Sequence, residues 1–325
     1  MVSKKKPAEI AGILNKRLER FMPILTPLGV VLGFIFPRFF IHLRPYIPLL
    51  FSVMTLSGSL KLRLKDMGGA VANPFPLCIF FISAHCIIPI LAFLICTVLF
   101  RGDGDTISGY VLLCSVPTAV SGFIWVSIYR GDSALALTII FLDTLVTPLV
   151  VPGTVSLLLG TQVALNITGI AGSLILMVVV PTIIGVTVHE ASRGTIPPLI
   201  SPYLNPLAKV CIILVISANT SAIAHRVHLT DPKIWIIAGT CIFFTILSYS
   251  CSKLTSLICR LSPEKRVTLF FATGLRNLSA ATTIAIEYFP EAAALPALLG
   301  IVFQQSLAAV MGRLFAGKQS DSEGS

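Results

Sequence analysis

Residues 133–159 read SALALTIIFLDTLVTPLVVPGTVSLLL, with one ionisable side chain, Asp143, in the middle. A helix of about 20 residues, rising 1.5 Å per residue, crosses a hydrocarbon core of about 30 Å. This run is long enough. Similar runs lie on either side of it, at 21–37, 45–60, 74–100, 108–129, 163–188, 200–223, 234–257, 266–286 and 293–315. The 325-residue chain is 55% hydrophobic and 12% charged, with a mean hydropathy of +0.92. Soluble domains carry about 25% charged residues. Strand-period alternation is absent, which excludes a β-barrel. The expected class is an all-α polytopic membrane protein with about ten transmembrane helices.

The connections between runs are too short for a soluble domain. Residues 1–20 read as a cytoplasmic basic leader, because no small-residue cleavage site follows the first run. Residues 317–325 read as a polar cytoplasmic tail. The net charge of +10 is topological and gives no sign of a nucleic-acid partner. With ten spans, seventeen basic residues fall on the side of the termini and five on the other, leaving out Lys209 and Arg276. The positive-inside rule then places both termini in the cytoplasm of a cell-membrane protein. Ten spans divide into five-span repeats, 21–160 and 161–316. An odd number per repeat forces the two into opposite orientations. The eight cysteines show no metal-ligand or redox spacing and read as small packing residues. No metal or other cofactor is expected.

Charges inside a span cost roughly 2.5–3.5 kcal/mol on insertion scales, so each asks for a reason. Asp143, Arg276 and His85 fall at similar depth, about 15 Å from the cytoplasmic side. They suggest a shared polar centre, although Asp143 and Arg276 could be a purely structural pair and His85 a satisfied core histidine. Lys209 can snorkel to the interface. Glu287 and Glu291 sit at outer span ends, in solvent. Two spans are interrupted. The fourth carries Ser115-Val-Pro-Thr-Ala-Val-Ser-Gly122, in which Pro117 removes a backbone donor and Gly122 weakens the helix. The ninth carries Thr273-Gly-Leu-Arg-Asn-Leu-Ser279. Broken backbone at this depth is tolerated where it is buried or lines a cavity. One break per repeat, at corresponding positions, points to a transport site. Simple kinks with packing glycines are the plainer alternative.

At these residues the chain resembles the bile acid:sodium symporter superfamily, including its bacterial sodium/bile acid cotransporter-like proteins. The resemblance runs through Cys114–Gly122, Tyr129-Arg-Gly-Asp-Ser-Ala-Leu-Ala136 and Thr144-Leu-Val-Thr-Pro148. It continues in Ile87-Ile-Pro89 and Thr273-Gly-Leu-Arg-Asn277. It implies a panel of spans one, two, six and seven, and a core of the remaining spans in which broken helices four and nine cross. It also implies organic-anion substrates such as bile acids, pantoate-like acids and keto acids. The positions that hold sodium in the family fall here on Ala84, Gly122, Phe123, Ala136, Ile140, Ala272 and Arg276, and none supplies a side-chain oxygen. Ala136, Ile140 and Asp143 share one helix face at i, i+4 and i+7. The Arg276 guanidinium is therefore expected to stand in for sodium, neutralised by Asp143, and its fork could face a substrate carboxylate.

The resulting reading is a secondary transporter of a small organic anion without classical two-sodium coupling. Its expected substrate residues are Arg276, Asn277, Ser121, Thr118 and Gly274. Its expected charge group is Asp143, Arg276 and His85, and its breaks are Pro117, Gly122 and Gly274. Expected partners are the anion and the lipid bilayer. A sodium- or proton-coupled symporter with a rebuilt cation site and a non-transporting sensor on the same fold are the alternatives. Metalloprotease, aspartyl-dyad and Ser/His/Asp patterns are missing, so an enzyme is not expected.

Overall fold

The computed structural model describes residues 7–160, 166–227 and 230–316. The first residues of the expected leader and the expected tail, 317–325, lie outside them. The described residues are helical, with no strand among them. Seven helices are long and apolar enough to cross a membrane. They are α2 (Pro37–Ser59), α3 (Phe75–Leu99), α6 (Ser133–Leu159), α7 (Ile167–Ala191), α8 (Pro197–Ile223), α9 (Pro232–Ile258) and α12 (Glu291–Leu314). The first helix, α1 (Pro7–Ile35), starts well before the expected span at 21 and is apolar from Ile24. Two other apolar runs are each split into shorter helices: α4 (Gly104–Ser115) with α5 (Gly122–Ile128), and α10 (Pro263–Gly274) with α11 (Leu278–Tyr288). Seven long helices are fewer than the ten expected spans; a halved run is too short to qualify, which concerns two of the expected spans, and the third is α1, whose apolar part, Ile24–Ile35, is short.

The chain folds into two compact units, each drawn from both halves of the sequence. The first comprises Met1–Leu64, described from Pro7, and Ser173–Ala224. In it α8 packs against α1 and α2, and α7 against α2. Gly33 lets α1 come close to α8, because a Cβ there would meet the Ser217 carbonyl and Thr220. The Ser217 hydroxyl donates to the Gly29 carbonyl at 2.9 Å, and Ser57 to Asn205 at 2.9 Å. Such hydroxyl and amide bonds between helices are typical where lipid supplies no hydrophobic drive to pack. Lys209, expected to snorkel, bonds the Asn15 side chain of α1 at 2.5 Å.

The second unit comprises Lys65–Gly172 and His225–Ser325. Helix α10 lies at its centre, between two apolar clusters. Val267, Phe270 and Phe271 pack with Val126, Tyr249 and Met311, while Leu269 and Ala272 pack with Phe80, Leu135 and Ile139. α10 thereby fixes the position of the break that follows it. Phe75–Leu99 is not uniform: Ile82–Ile87 widens into a π-helical turn carrying His85. Such π-bulges are frequent at functional sites.

Candidate functional site: the paired helix breaks

Each break frees backbone groups that must find partners in a dry interior. At the first, Val116 is extended (φ −62°, ψ 156°), as a residue before proline prefers to be. At the second, Leu275 is extended (φ −108°, ψ 110°), and the Asn277 side chain caps α11 by accepting the Ala280 N–H at 3.3 Å. The second break has no proline. Gly274 takes its place: the Tyr249 ring occupies the space that a Cβ would fill.

The two breaks hydrogen-bond to each other. Thr118 and Arg276 form an antiparallel bridge. Ala119 N–H donates to the Leu275 carbonyl at 2.9 Å, and Asn277 N–H to the Pro117 carbonyl at 2.8 Å. The Thr118 hydroxyl also donates to Leu275, at 3.2 Å. The remaining groups turn to side chains. Thr118 N–H donates to Asp143 Oδ2 at 2.7 Å, and Arg276 N–H to Gln304 Oε1 at 3.0 Å. Arg276 returns the favour to the backbone: Nη1 donates to the Val116 carbonyl at 3.1 Å and Nη2 to the Ala84 carbonyl at 2.6 Å.

The three expected ionisable groups are brought together, but not in the expected pairing. Asp143 (0% exposed) does not bond Arg276 (4% exposed) directly. Its Oδ1 meets His85 Nε2 at 2.8 Å. The guanidinium is held by carbonyls instead, and the bridge residue Thr118 connects the two charges. Carbonyl oxygens exposed by helix breaks are strong acceptors, and a planar fork can take two of them at once. Thr118 and Gly274 are buried, whereas Ser121 and Asn277 are half-buried. Beside Arg276, the space enclosed by Cys114, Ser248, Gly274 and Gln304 is about 10 Å³, close to the volume one water requires.

Sequence reasoning missed Gln304 and Gln305. Gln304 closes the account of Arg276 N–H. Gln305 accepts from Trp125 Nε1 at 3.1 Å and donates to the Ser121 hydroxyl at 3.4 Å. Two adjacent amides inside an apolar span were the available signal. Outside the membrane segments, Asp103 caps α4 through Thr106 N–H and pairs with Lys233 Nζ at 2.8 Å. Partial burial works to raise its pKa, but the Lys233 ammonium and the Thr106 bonds outweigh it and hold the carboxyl below its ordinary value.

The model of the sodium bile acid symporter family matches residues 47–228. That is more than half of the chain. The chain belongs to this family. Its members are transporters, so the chain is a multi-pass membrane protein of transport and not an enzyme. Over 291 residues it is 35% identical to the protein YbaS of Bacillus subtilis (strain 168), covering 90% of this chain and 95% of that one. It is 24% identical to the probable sodium/metabolite cotransporter BASS3 of Oryza sativa subsp. japonica, covering 90% of this chain and 69% of the relative. Identity to the sodium-dependent transporter YocS of Bacillus subtilis is 22%, covering 89% and 88%.

Proposed function

We propose that the chain carries a small organic anion across the cell membrane by alternating access, with the Arg276 guanidinium standing where sodium-coupled relatives hold a cation. One observation carries this reading: Nη1 and Nη2 of Arg276 bond the Val116 and Ala84 carbonyls, one at the span-four break and one beside His85 in span three. Here they are taken by a cation that cannot leave. Asp143, on the helix face that carries Ala136 and Ile140, balances the charge through Thr118. The neutralised crossing then needs no bound sodium to be stable.

In this reading Ser121 and Asn277, half-buried at the crossing, hydrogen-bond the substrate. Thr118 and Gly274 shape the backbone beneath it. Arg276 supplies positive potential, and two of its five donors are committed to carbonyls. The ten-span count is supported by seven long helices together with α1 and the two split runs. The panel and core arrangement is supported by the division into a unit containing α1, α2, most of α7 and α8, and a unit containing the rest. The test is uptake of small organic acids into proteoliposomes, with sodium replaced by potassium or choline. Less than a twofold change is expected. A tenfold sodium effect, about 1.4 kcal/mol of coupling, overturns the reading.

A further inference from the structure

Among the described residues, the crossing leaves two nitrogens without a hydrogen-bond partner, Arg276 Nε and the second ring nitrogen of His85, and of these only the imidazole nitrogen has a lone pair to offer. The ring is buried, and Nε2 is committed to Asp143 Oδ1 at 2.8 Å. With the carboxylate ionised, Nε2 carries the proton and Nδ1 is a bare acceptor. Nδ1 has no hydrogen-bond partner. Buried polar atoms are rarely left so, and an exception asks for a use. The ring is held for one. Phe81 stacks on it with centroids 5.7 Å apart and planes at 27°, and Phe80 meets it edge-on at 6.0 Å. An aromatic face stabilises a cation more than a neutral ring. The π-helical turn around His85 is a local distortion of an otherwise regular helix, and it sets this geometry.

We propose that His85 and Asp143 form a proton-binding site, and that the proton is the ion this carrier moves together with its anion. The inference rests on the carrier reading above and names its coupling ion. The step is simple: the Nδ1 lone pair takes a proton from hydronium, an N–H bond forming as an O–H bond breaks and a water molecule leaving, while Nε2–H stays on Asp143. Asp143 lies within electrostatic reach of Arg276 from the second break, as do Cys114 of α4 and Cys251 of α9, and Ser83, two residues before His85, bonds Thr255 of α9 at 3.0 Å. The thiols are neutral, so the charges that count are those of Asp143, Arg276 and His85. Asp143 and Arg276 cancel. A proton on Nδ1 leaves one net positive charge, and a monovalent anion restores neutrality. Empty and fully loaded states are then both neutral, whereas half-loaded states carry an unbalanced charge that a dry interior penalises. That penalty is the coupling.

The pair also touches both breaks. Asp143 Oδ2 holds the Thr118 N–H of the first, and the residue before His85, Ala84, holds Arg276 of the second through its carbonyl. Protonation therefore acts on the elements that cross. The Val116 and Ala84 carbonyls are already bonded to the guanidinium.

The experiment uses the purified full-length chain without substrate, with the proton as probe. Proton uptake is read with an indicator dye as pH is taken from about 8 to about 5, across the ordinary histidine range. His85→Gln is expected to take up about one proton per chain fewer than wild type. Equal uptake by His85→Gln and wild type overturns the proposal. If His85→Gln does not fold, the other four histidines (His42, His189, His225 and His228) are changed to Gln, leaving His85 as the sole labelled imidazole for nitrogen NMR. The expected form carries Nε2–H alone at high pH and both protons at low pH. A ring that stays singly protonated at pH 5 overturns the proposal. In proteoliposomes, uptake of a short keto acid is expected to rise at least fivefold with an inside-alkaline gradient. Uptake indifferent to that gradient overturns the coupling. Proton binding with no uptake of any organic acid overturns the carrier reading and leaves the proton site standing.

Discussion

Replacing Asp143 by Asn removes the negative charge from the crossing while keeping its shape. The carboxylate accepts from two partners, His85 Nε2 at 2.8 Å and Thr118 N–H at 2.7 Å. An amide has one oxygen, so one of the two donors loses its acceptor, at about 1–3 kcal/mol for a buried group. The larger cost is that Arg276 keeps its charge with nothing nearby to balance it. Breaking a buried charge pair by removing one member costs about 3–5 kcal/mol. Arg276→Gln strips the opposite charge and orphans the Val116 and Ala84 carbonyls, for a similar loss. The double variant carries neither charge, so the electrostatic penalty disappears, but the two carbonyls stay unpaired. It is expected to be more stable than the sum of the single losses implies, by about 1–3 kcal/mol, without regaining wild-type stability. Thermal unfolding of the four detergent-solubilised chains gives the cycle. Strictly additive losses would refute the charge balance through Thr118. Full recovery would mean that the guanidinium–carbonyl bonds contribute nothing.

Gly274→Ala drives a methyl into the Tyr249 ring and should destabilise by about 1–3 kcal/mol, whereas Gly153→Ala and Gly239→Ala, which meet open space, should be neutral or stabilising; apparent Tm values separate them. Gln304→Leu leaves the Arg276 N–H without its acceptor, with an expected loss of about 1–3 kcal/mol in the same assay. Asp103→Asn should cost less than about 1 kcal/mol at neutral pH, because the Lys233 pair is partly exposed and screened by solvent. The Asp103 pKa is lowered on folding, so its contribution is complete above the ordinary value of 3.8 and fades as pH falls below it; wild type and variant should converge there. Cysteine labels near Arg130 and Lys265 should react from the cytoplasm and one near Asp103 from outside, and same-side labelling of the Lys265 and Asp103 positions would refute the topology.

The membrane class was legible because hydropathy is local: runs such as 133–159 declare themselves without knowledge of their neighbours. Pro117 was legible for the same reason, since a missing N–H and its effect on Val116 are properties of the chain. The break at Gly274 was suggested by residue types, but the reason a glycine is needed there, the Tyr249 ring from α9, lies in packing that no local pattern encodes. The charged trio could be gathered by depth along the helices. Its pairing could not, because depth gives one coordinate and a hydrogen bond needs three. The partners that decide the role of Arg276 are backbone carbonyls, which every residue possesses. Ala84 reads in the sequence as a lost ligand, yet its carbonyl receives the shortest of the guanidinium bonds. Gln304 was open to discovery as a polar residue in an apolar span. The widened turn at Ile82–Ile87 has no sequence signature that we recognise.

The account turns on whether the guanidinium has replaced sodium, and binding of radiolabelled sodium to the purified chain tests this without any substrate. Wild type is expected to show no saturable binding, with counts rising only linearly with concentration. Saturable sodium binding to wild type, displaced by unlabelled sodium and not by choline, would contradict the claim that Arg276 occupies the cation's place.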